Sequence, residues 1–158
     1  MSPALKFEVV SLDQVPKNER ATDGAARQPL VLVVDDERVI ADTLSIILTR
    51  NGFSVLTAYD GESALELAAV AAPDLLLSDV MMGPGMDGTE LAIALVGTCP
   101  KCKVLLFSGH AATRDLLDKA RDAGHNFTLL NKPLHPADLL ARITESFKTS
   151  QQPASVGA

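Results

Sequence analysis

The chain has 158 residues, 47% of them hydrophobic and 22% charged, which suits one soluble domain with a core large enough to need no disulfide or metal staple. Its net charge of −6 argues against a nucleic-acid surface, and no apolar run is long enough to span a bilayer. Aromatics are scarce at 4%, so the core must come from Leu, Val, Ala and Ile; two cysteines and a start without a leader pattern predict a cytoplasmic protein.

Residues 1–28 are polar and aperiodic and read as a flexible N-terminal extension, with one candidate extra strand at 6–10. A β-branched apolar run at 30–34 predicts a strand buried on both faces. Val39, Ile40, Leu44, Ile47 and Leu48 then recur at helical spacing, with Asn51-Gly52 as a stop. The pattern continues with a strand at 53–58, a helix at 63–71 ending before Pro73, and a buried strand at 75–77 running into Ser78-Asp79. After a Gly- and Pro-containing loop at 80–87 come a helix at 88–96, a strand at 103–107 and a helix at 113–123 closed by Gly124. A strand at 127–130 and a helix at 136–147, with Pro136 suited to its first turn, complete the series. The expected boundaries are 29–148 for the folded domain and 149–158 for a disordered tail. Five strands alternating with five helices predict an α/β fold with a parallel sheet covered on both faces.

In such a sheet, sites form beyond the carboxyl ends of the strands. Those ends carry Asp35-Asp36, Asp79, Ser108-Gly109 and Asn131-Lys132-Pro133, with only Tyr59-Asp60 from the second strand. Three carboxylates on one rim repel unless positive charge sits among them. Lys132 supplies one charge, and Mg2+, a hard cation that prefers oxygen ligands, is the natural second. The set suits phosphoryl transfer: a carboxylate nucleophile, with metal, ammonium and hydroxyl to hold the charge on the phosphoryl oxygens.

The stretches VLVVDDE (31–37), LLLSDVMM (75–82), GMDG (85–88), VLLFSGHA (104–111) and LLNKPL (129–134), each at a strand end and in this order, resemble the response-regulator receiver family. The resemblance implies a flavodoxin-like doubly wound sheet of order 2-1-3-4-5. It implies Asp79 as phosphoacceptor, Asp36 as a direct Mg2+ ligand, Asp35 acting mainly through water, and Met81 offering its backbone carbonyl to the metal. Ser108 would be the hydroxyl that reports phosphorylation, Lys132 the ammonium that pairs with the acids and then with the phosphoryl group, and Lys132-Pro133 a cis bond. The implied donor is a sensor histidine kinase or phosphotransfer protein. Output would pass to another protein, because the chain ends soon after the last helix as in a stand-alone receiver; no nucleic acid or membrane partner is expected. A weak homodimer through the fourth helix, fifth strand and fifth helix rests on family analogy alone.

Two positions depart from the family pattern. Gly83 adds a residue to the acidic loop, and Leu129 stands where many members carry an aromatic that moves with the hydroxyl. Two rivals follow. A phosphatase of the haloacid-dehalogenase type needs Asp-x-Asp after the first strand, where this chain has Asp35-Asp36-Glu37. A receiver fold used as a phosphorylation-independent binding module would be expected to lose some of the acids or the lysine. Cys99-Pro100-Lys101-Cys102 is a C-x-x-C on the opposite rim, without the strand-to-helix setting that activates a redox thiol, and reads as incidental. Of the histidines, His110 alone lies near the site mouth, where it could modulate dephosphorylation.

Overall fold

In a computed structural model, the protein is described over residues 27–109 and 113–151. The candidate strand at 6–10, nearly all of the N-terminal extension, His110 and residues 152–158 lie outside the described residues. Five strands, β1 (Leu30–Val34), β2 (Ser54–Ala58), β3 (Leu75–Asp79), β4 (Lys103–Ser108) and β5 (Thr128–Asn131), form one parallel sheet of order β2-β1-β3-β4-β5. Between and after them run α1 (Arg38–Arg50), α2 (Gly61–Val70), α3 (Gly88–Thr98), α4 (Thr113–Asp122) and α5 (Pro136–Gln151). This is the flavodoxin-like arrangement that the motifs imply. No helix among the described residues is long and apolar enough to cross a membrane.

Strand side chains alternate between two cores, as a pleated strand dictates. Val31, Val33, Leu75, Leu77, Leu105 and Phe107 face α1 and α5, meeting Leu44, Leu48, Leu139 and Ile143. Leu32, Val34, Leu76 and Leu106 face the other way, against Ala64 of α2 and Leu91, Ala92 and Leu95 of α3. Leucines 32, 75, 76, 77 and 106 are fully buried, and each such side chain stabilises the fold by roughly 1.5–3 kcal/mol. Apolar residues on both strand faces are what make the strands continuous hydrophobic runs in the sequence.

Element ends follow local chemistry. Gly52 and Gly124, the expected helix stops, adopt φ of 94° and 96°, the left-handed region that favours glycine. The second helix starts at Gly61, two residues before the expected 63. The reason is Asp60, whose carboxylate accepts from Ser63 N at 2.7 Å and caps the helix. The last helix runs to Gln151, past the expected boundary at 148, since no breaker precedes Pro153.

The loop between β3 and α3 is fixed by a capping box: Asp87 accepts from Thr89 N and Glu90 N, and Glu90 accepts from Asp87 N. Gly88 then packs directly on β3, where it donates to Val80 O at 2.8 Å. A Cβ there would lie 2.8 Å from Val80 Cα, 3.0 Å from Asp79 C, and closer still to the Asp79 carbonyl oxygen. Gly88→Ala should therefore destabilise the protein by roughly 1–3 kcal/mol, despite the better helix propensity of alanine, because the neighbour that must move is backbone. Urea unfolding measures this, and an unchanged or raised midpoint would refute the close approach.

Candidate functional site

The register builds the site. Val34 pairs with Ser78, so Asp35 and Asp79 come next on neighbouring strands; Asp79 pairs with Phe107, and Ser108 with Asn131. Asp35, Asp36, Asp79, Ser108 and Lys132 thus meet at one rim. One carboxylate oxygen from each of Asp35, Asp36 and Asp79 lies within 4.8 Å of the others. Asp35 is wholly buried, Asp79 is 5% exposed, and Asp36 is exposed.

Each acid has its own tether. Asp35 Oδ1 accepts from Glu37 N at 2.9 Å, at the start of α1, where the helix dipole favours negative charge. Asp36 Oδ2 accepts from Gly83 N at 2.8 Å. The additional loop residue therefore touches the acidic cluster. Met81 follows two residues after Asp79 and packs its side chain into the core beside Met82 and Met86.

Lys132 reaches in from the end of β5. Its Nζ lies 3.5 Å from Asp79 Oδ2 and 3.6 Å from Asp35 Oδ2, ion-pair distances longer than a good charge-assisted hydrogen bond. The ammonium sits 5.2 Å from the Phe107 ring centroid, within cation–π range. The Lys132-Pro133 bond is cis. Ser108 is buried at the end of β4, and its Oγ lies 2.5 Å from Thr113 Oγ1 at the start of α4. Thr113 is a member of the site that sequence reasoning missed. The available signal was a hydroxyl residue five positions after Ser108, at a helix start.

The electrostatics are uncompensated. Burial, then the charge of Asp35, pushes the Asp79 carboxyl up to about 6, against the opposing pull of Lys132. Burial also raises Asp35, with the Glu37 amide and Lys132 opposing. Three carboxylates against one ammonium leave two net negative charges when all are ionised. Asp35 Oδ2 and Asp79 Oδ1 are buried without a hydrogen-bond partner among the described residues. Orphaned oxygens, an all-oxygen donor set and excess negative charge fit a hard divalent cation.

On the opposite rim, Cys99 and Cys102 are free thiols. Burial, then Cys99, pushes the Cys102 thiol up to about 12, which disfavours the reactive thiolate. Leu129 is half-buried and packs in the same core as Leu116 and Leu117 of α4.

The raised Asp79 carboxyl has a consequence for stability. Its folded-state pKa exceeds the unfolded value, so the folded state holds the extra proton and stability falls as pH rises from about 4 to about 6. Without metal, Asp79→Asn should exceed wild type by about 1–3 kcal/mol at pH 7.5, with the difference vanishing near pH 4. Denaturant unfolding at both pH values checks this; a variant no more stable at pH 7.5 would contradict it.

A profile of the response regulator receiver domain matches residues 31–144. The response regulator MprA of Mycobacterium tuberculosis is 38% identical over 113 residues, covering 72% of this chain and 48% of that protein. The chain thus spans about half the length of the curated relatives it matches. The CheY-like response regulator receiver domain protein from Methanospirillum hungatei JF-1 superposes with a TM-score of 0.71 at 26% identity, covering 80% of this chain and 99% of that one. The signal receiver domain of an HD domain-containing protein from Pseudomonas fluorescens Pf-5 gives 0.72 at 28% identity, with coverages of 80% and 99%. With four strand-end motifs gathered on one rim, a matching topology and a family profile spanning most of the chain, this protein belongs to the response regulator receiver domain family.

Proposed function

We propose that the domain is a phosphorylation-dependent signalling switch that accepts a phosphoryl group on Asp79 from a histidine kinase or phosphorelay protein. The observation that carries this reading is the buried Asp79 carboxylate, with an orphaned oxygen and Lys132 Nζ 3.5 Å from its other oxygen. An Asp79 oxygen attacks phosphorus, the P–O bond forms as the P–N bond of the donor phosphohistidine breaks, and the departing imidazole takes up a proton. Lys132 then exchanges its carboxylate partners for a phosphoryl oxygen, and Ser108 donates its hydroxyl proton to another.

Asp36 and Asp79, with the Met81 carbonyl, would hold Mg2+ directly, and Asp35 would act mainly through water. When bound, the ion supplies the positive charge that lets two buried carboxylates and a phosphoryl group share one pocket. The domain is modified once and loses the group slowly, so it is a switch and not a turnover enzyme; output passes to a partner protein. The two free thiols suit a reducing, cytoplasmic setting.

The folded unit of this switch is residues 29–148, with the helix continuing to Gln151. Incubation with Mg2+ and acetyl phosphate should add one phosphoryl group to the intact mass. The adduct should be absent without Mg2+ and in Asp79→Asn, and reduced at least tenfold in Lys132→Ala. No adduct on wild type would replace this reading with a phosphorylation-independent binding module.

A further inference from the structure

The reporting hydroxyl of such a switch needs something to report to. In this chain the β5 position where many members carry an aromatic is Leu129, which has no hydrogen-bonding group and packs in the same core as Leu116 and Leu117 of α4. Ser108 is instead 2.5 Å from Thr113, hydroxyl to hydroxyl, with 3% and 1% of each residue exposed. Either oxygen can be the donor. That ambiguity matters, because a hydroxyl carries one proton and two acceptor sites. If Ser108 gives its proton to Thr113, it has none for a phosphoryl oxygen. If Thr113 donates, the Ser108 proton is not committed to Thr113 and can be directed toward Asp79. The pair therefore has two proton arrangements, and only one suits a phosphorylated site.

Thr113 is also the first residue of α4, and the rest of that helix is loosely held. Among its described residues only Thr113 and Ala120 are buried, while Leu116 and Leu117 are half-buried. Any movement of Ser108 toward a phosphoryl oxygen must stretch the bond to Thr113, draw the start of α4 along, or leave a buried hydroxyl unpaired. Helices with few buried residues respond most readily to such a pull.

We propose that Thr113 is the positioning residue for Ser108, and that this hydroxyl pair carries the phosphorylation signal from the end of β4 into α4, in place of an aromatic on β5. The inference rests on Asp79 being the phosphoacceptor. It assigns to Thr113 the orientation of the Ser108 proton, and to α4 the first structural response.

The test compares wild type, Thr113→Val, which keeps the shape and removes the hydroxyl, and Thr113→Ser, which restores it. Each is incubated with Mg2+ and acetyl phosphate. Phosphorylation and its decay are followed by intact mass, and amide hydrogen exchange over residues 113–122 is compared with and without the phosphodonor. Wild type should take one phosphoryl group and change its α4 exchange severalfold. Thr113→Val should still be phosphorylated, with its decay rate altered at least threefold and the α4 response abolished; Thr113→Ser should recover both. A phosphorylated Thr113→Val with wild-type decay and a wild-type α4 response would overturn the proposal while leaving the function intact. Should Thr113→Val fail to fold, a phosphorylated Thr113→Ser with wild-type decay and α4 response supports the proposal, and one lacking them overturns it. A wild type that takes no phosphoryl group would overturn the function and the proposal together.

Discussion

Two carboxylates forced out of water at the ends of adjacent strands are the constraint around which this domain is organised. Asp35 and Asp79 are neighbours because β1 and β3 run parallel and in register, and they are buried because helices cover both faces of the sheet. Their repulsion cannot be relaxed by moving apart without breaking the ladder. Partial relief comes from Lys132, held over Phe107, and from the Glu37 amide on Asp35, while the Gly83 amide holds the neighbouring Asp36. The remaining deficit is a preference for positive charge, which suits a hard cation at this rim.

The apolar layers make that storage tolerable. A rigid sheet with fully buried leucines on both faces stabilises the fold by far more than the local electrostatic penalty costs. Loop chemistry then fixes the rim. The Asp87–Glu90 capping box and the close seating of Gly88 on the Asp79 carbonyl hold the acidic loop, while Gly83 turns an added residue into an extra donor for Asp36. Rigidity on this side contrasts with α4, which buries little and starts on a hydroxyl pair.

Much of this was legible in the sequence for a definite reason. Continuous apolar runs ending in polar residues identify the strands of a covered parallel sheet, and topology then brings their ends together, so Asp35, Asp36, Asp79, Ser108 and Lys132 could be gathered without coordinates. What was not legible depends on how helices rotate and loops close. The pairing of Thr113 with Ser108 depends on where α4 begins relative to β4, and the Gly83 amide could have pointed anywhere before the loop folded over Asp36. Asp60 was noted at a strand end, but its role as the cap of α2 emerged only from its bond to Ser63. Leu129 is visible as a departure; its place in the same core as the leucines of α4 is not.

The central claim is that burial and crowding keep Asp79 in a poorly solvated, charge-hungry state that a divalent cation relieves. Carbon-13 NMR titration of the Asp79 side-chain carboxyl, in metal-free protein and with Mg2+, tests it most directly. The account predicts a midpoint near 6 without metal and a fall of at least one unit with Mg2+. A midpoint in the ordinary carboxylate range, unmoved by Mg2+, would contradict it.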